Sequence, residues 1–110
     1  MDTPPILDRV RLDLITSGNA ALSAEFLAVL FVEADALILR LDGLPASGDR
    51  LTVTDIAHTL KGAAAELGAM QLRLAAADLE AETEPMRRPG DIERLRAALA
   101  ELRAHVQANL

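Results

Sequence analysis

The sequence predicts an all-α fold: an up-down-up-down antiparallel four-helix bundle with a short extra N-terminal helix. Three observations carry that expectation. Of the 110 residues 51% are hydrophobic but only 2% aromatic, so the core must be built from Leu, Ala, Val and Ile, the composition of packed amphipathic helices rather than of a sandwich or barrel. Apolar residues recur every three or four positions over long stretches. The breaks between those stretches are short and rich in Gly, Pro, Ser and Asn, as connections between antiparallel helices are.

Residues Ile6 to Ile15 read as the short first helix, with Thr3 as its N-cap and prolines at the entrance, where a missing amide does no harm. Ser17-Gly18-Asn19 ends it. A second helix begins near Ser23 and carries Phe26, Leu27, Leu30, Phe31, Ala34, Leu37, Ile38 and Leu41 at helical spacing. Leu44 to Asp49 (LPASGD) is a turn. Thr52 or Thr54 is expected to cap a third helix that Gly68 stops, glycine being at ease in the left-handed conformation past a helix end. Met70 to Glu84 makes a fourth helix, and Pro85 with Arg87-Arg88-Pro89-Gly90 breaks the chain again. From Asp91, the expected N-cap, the last helix runs through Ile92, Leu95, Leu99, Leu102 and Val106.

One domain, residues 1–110, fits this length, and no internal repeat or low-complexity segment divides it. The initiating Met1 favours a complete, free-standing chain. With 11 basic and 17 acidic residues the formal charge is −6, which argues against DNA or RNA as a partner. There is no cysteine, hence no disulfide framework or thiolate site. The N-terminus lacks the basic start and apolar run of a signal peptide. The most apolar stretch, Phe26 to Leu41, contains Glu33, Asp35 and Arg40 and falls short of the ~20 residues of a membrane span. A cytoplasmic location is expected.

The segment from Asp55 to Ala69, DIAHTLKGAAAELGA, organises the rest. Ile56, Leu60, Ala63 and Leu67 form a buried stripe, while Thr54, His58, Lys61, Gly62 and Ala65 lie on the opposite side. A solvent-facing imidazole therefore has a lysine at i+3 and a glycine at i+4, its neighbours on the helix surface. Glycine inside a helix costs about 1 kcal/mol relative to alanine, so the empty space next to the ring has a use. It leaves room for a group bulkier than a proton on a ring nitrogen, and the Lys61 ammonium offsets an anionic one. A phosphoryl group meets both requirements.

The run from His58 to Ala69 (HTLKGAAAELGA) resembles the signature of histidine-containing phosphotransfer (HPt) domains, H-x-L-K-G-x-x-x-x-x-G, at all its marked positions. The likeness extends loosely over most of the chain, since stand-alone bacterial-type HPt proteins are about as long and as helical. It implies a phosphocarrier without its own ATP-binding or kinase domain: His58 takes a phosphoryl group on Nε2 from the phospho-aspartate of one response-regulator receiver domain, or the receiver of a hybrid kinase, and passes it to another. Neutral imidazole does this without a base to activate it. Lys61 lowers the cost of the added charge, Gly62 leaves room, and the family position twenty-two residues after the histidine, often Gln or Glu, is here Glu80, the acceptor expected to hold Nδ1–H. No cofactor is expected on this chain; Mg²⁺ belongs on the partner receiver domain. The resemblance further implies an apolar docking patch around the histidine, with Leu12, Ile15, Leu22, Phe26 and Ala65 as candidates and Ala57, Ala64 and Ala65 small enough for close approach. A monomer is expected, with no membrane partner.

The remaining polar residues have plainer readings. Glu66 and His105 read as surface or rim side chains, and Arg87-Arg88 as a solvated loop pair. Two histidines without cysteine or paired carboxylates make no zinc site. Two rival functions stay open: the dimerisation and phosphoacceptor domain of a histidine kinase, and a helical adaptor without chemistry.

Overall fold

Asp8, Asn19 and Asp49 start the first three helices, each because a side-chain oxygen accepts an amide that the first helical turn leaves without a partner. In the computed structural model, which describes residues 3–45 and 48–110, α1 spans Arg9–Thr16, α2 Ala20–Asp42, α3 Arg50–Leu67, α4 Met70–Ala81 and α5 Arg88–Asn109. A single 3-10 turn, Pro85–Arg87, precedes α5, and no strand occurs among the described residues. Asp8 Oδ1 accepts from the Arg11 amide at 3.2 Å, Asn19 Oδ1 from Leu22 at 2.9 Å and Asp49 Oδ1 from Leu51 at 2.9 Å.

Five expected boundaries are corrected, three of them by these caps. Thr3 does not cap α1, which begins at Arg9 rather than Ile6: Leu7 is drawn into the core, and the Asp8 amide donates to the Gly68 carbonyl at 2.7 Å, pinning the entrance to the end of α3. α2 begins at Ala20, three residues before Ser23, whose buried hydroxyl instead donates to Thr16 Oγ1 at 3.0 Å. Neither Thr52 nor Thr54 caps α3; Asp49 does so, and Thr52 donates to its second oxygen at 3.1 Å. α5 begins at Arg88 rather than Asp91, because Pro89 falls in its first turn, where no amide donor is needed. Asp91 is buried within that turn, accepting from Arg94. Arg88 is likewise no solvated loop residue: it is 7% exposed and donates to the Gly48 carbonyl at 2.8 Å. α4 ends at Ala81, not Glu84, where Glu82 turns to extended backbone and its carboxylate accepts from the Glu84 amide. Ala46 and Ser47 of the expected turn, and Met1, lie outside the described residues.

The core is leucine. Leu12, Leu27, Leu60, Leu72, Leu95 and Leu102 are each at most 1% exposed, every such side chain contributing about 2 kcal/mol of burial. α2 packs on α3 and α5, α3 on α4, and α4 on α5, while α1 lies against α2 and α3. The buried stripe of α3 includes Ala57 and Ala64, with Ala63 only half-buried, so the first two alanines serve helix packing rather than the surroundings of the imidazole.

Candidate functional site

The connection between α3 and α4 positions the site. Gly68 adopts φ +81°, and a Cβ there would lie 2.6 Å from the Asp8 carbonyl oxygen; only glycine fits both the left-handed turn and that close approach. Two residues, Gly68 and Ala69, reverse the chain. Helices folded back that tightly bring positions equally far from the turn opposite each other. His58 lies eleven residues before Ala69 and Glu80 eleven after.

The His58 side chain is 71% exposed, and its Nδ1 lies 2.7 Å from Glu80 Oε2. Lys61 Nζ donates to the other carboxylate oxygen, Oε1, at 2.6 Å. Glu80 is the least exposed of the three at 22%, against 30% for Lys61. The Lys61 ammonium, and next the imidazole, hold the Glu80 carboxyl below the ordinary value of 4.5. An ionised carboxylate only accepts, so in a neutral ring the proton sits on Nδ1 and Nε2 keeps its lone pair. That lone pair faces solvent: no protein group hydrogen-bonds Nε2 among the described residues. Gly62, one turn further on, is exposed, and a Cβ built there meets nothing within 4 Å. The space beside it is open: nothing among the described residues fills it.

Of the five docking candidates, Leu12 is corrected: it is 0% exposed, packed into the core from the inner side of α1, and offers no surface. Ile15, Leu22 and Ala65 are half-buried, and Phe26 is 36% exposed. Phe26 lines an apolar groove between α2 and α3 with Leu30, Ala63 and Leu67, closed at its sides by Glu33 and Glu66. Sequence reasoning missed this use of Ala63 and Glu66; the signal available was the place of Glu66 one turn beyond Gly62, and Ala63 carried none of its own. Glu66 is exposed as expected, and its carbonyl accepts from Arg11 Nε at 3.0 Å. His105 is half-buried, far along α5, with Asn109 as its neighbour.

Among the described residues no group of three or more His, Cys, Asp or Glu side chains could hold a metal ion, and no helix is long and apolar enough to cross a membrane. The family model of the Hpt domain matches residues 25–105, a span that takes in α3, α4 and most of α2 and α5. No curated protein and no solved structure matches the chain.

Proposed function

We propose that this chain, which belongs to the Hpt domain family, relays a phosphoryl group between the aspartates of response-regulator receiver domains, with His58 as phosphoacceptor. Histidine phosphotransfer in two-component signalling is the work of that family, whose members are phosphocarriers rather than kinases and interact with receiver domains. The observation that carries the residue assignment is the exposed imidazole with its Nδ1 held by Glu80 and its Nε2 free toward solvent.

In the forward step the Nε2 lone pair attacks phosphorus as the P–O bond to the donor's aspartate breaks, and the aspartate leaves as carboxylate. The N–P bond leaves positive charge on a ring whose Nδ1 proton is shared with the Glu80 carboxylate at 2.7 Å, so the charge is offset where it forms. Lys61, a compact cation on a flexible stem, lies one turn from the ring and offsets the phosphoryl oxygens. Transfer onward reverses these bond changes with a second receiver aspartate. Positioning and charge are most of what this reaction asks of a protein, and the Mg²⁺ belongs to the receiver. The groove at Phe26 and Ala63, with Leu22 and Ala65 on the same two helices and Ile15 on α1, is the docking surface of this reading. It takes the chain as one domain, α2 to α5 forming an antiparallel four-helix bundle with α1 across one end.

Incubation with a phosphorylated receiver domain tests the assignment. The parent chain takes up an acid-labile, base-stable phosphoryl group; His58→Gln, with the same helical content, takes up none. Labelling that survives the substitution overturns the role of His58.

A further inference from the structure

The sequence of α2 is apolar on nearly every side, and a helix of that kind is normally covered all round. Its inner residues Leu27, Leu30, Ala34, Leu37, Ile38 and Leu41 are buried against the rest of the fold. On its outer side Val29, Val32 and Leu39 stand 64%, 72% and 71% exposed. Glu25, Val29, Val32, Ala36 and Leu39 are spaced 4, 3, 4 and 3 residues apart, the repeat with which one helix forms a seam against another. All five are exposed. Val29 also lines the edge of the groove at Phe26 and Leu39 the cleft between α2 and α5; Val32 and Ala36, between them, line neither.

The charges at the two ends of the row identify the occupant. Glu25 closes it at the N-terminal end and Arg40, beside Leu39, at the C-terminal end; neither has an ion pair among the described residues. By contrast Asp35 and Asp42, on the same helix, pair with Arg103 and Arg96 of α5. Turned through two-fold symmetry about a point between Val32 and Glu33, α2 sets residue i opposite residue 65 − i, so that Val29 meets Ala36, Val32 meets Glu33, Leu39 meets Phe26 and Glu25 meets Arg40. Both ends then satisfy their charge at once, as an isologous contact requires. We propose that the outer face of α2 pairs two copies of this chain antiparallel, with Glu25 of each copy against Arg40 of the other.

The seam from Glu25 to Arg40 is roughly 24 Å long at the α-helical rise. One helix face of that length falls below about 1,200 Å² of total buried surface, the range of weak and reversible contacts, with a dissociation constant on the order of 0.1 mM. Below that concentration the chain is a monomer.

Sedimentation equilibrium of the full chain between about 10 µM and 1 mM tests this, with masses expected to rise toward that of a dimer. Val32→Asp, an exposed change that sets two carboxylates near the axis, abolishes the rise. Glu25→Arg alone and Arg40→Glu alone each put like charges at both ends and weaken association about tenfold or more. An equimolar mixture of those two variants, or the double exchange in one chain, restores it. Three results overturn the proposal: a parent chain still monomeric at the top concentration, association unaffected by Val32→Asp, or single reversals that no mixture rescues. A receiver domain that shields Val32 and Leu39 from solvent while the chain alone stays monomeric overturns it in favour of that partner.

Discussion

Replacing Gly62 by alanine separates what the fold needs from what a partner needs. Gly62 lies within α3 at ordinary helical φ, is exposed, and would present a Cβ that meets no atom within 4 Å. No strain opposes the methyl group, while the conformational freedom that glycine adds to the unfolded chain is removed. Gly62→Ala therefore stabilises the protein by about 0.5–1 kcal/mol, a rise in melting temperature of roughly 2–6 °C for a chain of this size. The same methyl group stands one turn from Nε2, where the proposed function places a phosphoryl group and the domain delivering it, and a misplacement of about 1 Å costs up to a hundredfold in rate. Urea denaturation reads the first effect; single-turnover phosphotransfer from a phosphorylated receiver reads the second. A small donor such as phosphoramidate shows whether the space serves the phosphoryl group, in which case both donors slow, or the partner domain, in which case only the receiver does. A variant that is less stable than the parent, or one that transfers from both donors at the parent rate, refutes the reasoning that this glycine is kept for something outside the chain.

Two further outcomes follow from the geometry of the hairpin. Glu80 has its folded pKa lowered by Lys61 and then His58; the stability these contacts give is thus fully present above about 4.5 and is lost as pH falls through the lower folded value, so chemical denaturation of Glu80→Gln should show a shallower loss below pH 4.5 than the parent, and identical slopes would contradict the pairing. Gly68→Ala combines a left-handed φ with a Cβ 2.6 Å from the Asp8 carbonyl oxygen and should destabilise by about 2 kcal/mol or more; a melting temperature within 2 °C of the parent would show that the hairpin tolerates another turn.

What the sequence made legible was whatever depends on near neighbours along one helix. His58, Lys61 and Gly62 share a face because i+3 and i+4 fix that in any α-helix, and Gly68 marks the end of α3 because few residues accept φ +81°. Helix starts were harder, because oxygen-bearing side chains compete for the same free amides. Asp49 and Thr52 both stand before the apolar periodicity of α3, and the two are hydrogen-bonded to each other in the cap, so residue type alone does not choose between them. Pro89 and Gly90 looked like a break for a similar reason, since a proline that would end a helix in its interior is harmless in its first turn. The burial of Leu12 is not legible in the sequence because α1 has eight residues and places Val10 and Leu14 outside at 72% and 71% exposure; with apolar side chains on both faces of so short a helix, periodicity does not say which face is inside.

Glu80 belongs to neither class, since nothing in its own neighbourhood sets it apart from the other acidic residues of α4. It is picked out by the turn. A two-residue reversal centred near Ala69 allows one residue of α4 to lie across from His58, and the same side chain also reaches Lys61, because the lysine is one turn from the histidine on the side nearer the turn. One carboxylate thus touches both groups, at 2.7 and 2.6 Å, orienting the ring while keeping the cation in place and neutralised before any phosphate arrives. On the proposed function, a phosphoryl group on Nε2 would bring new negative charge to one side of the lysine and new positive charge to the ring beside Glu80. The carboxylate gains a reason to stay with the ring just as the ammonium gains a second anion within reach, so the resting contacts already lie along the direction in which charge moves during transfer. The reactivity assigned to His58 is in this sense a property of the whole α3–α4 hairpin, and the glycine that allows the hairpin to close against Asp8 is as necessary to it as the lysine.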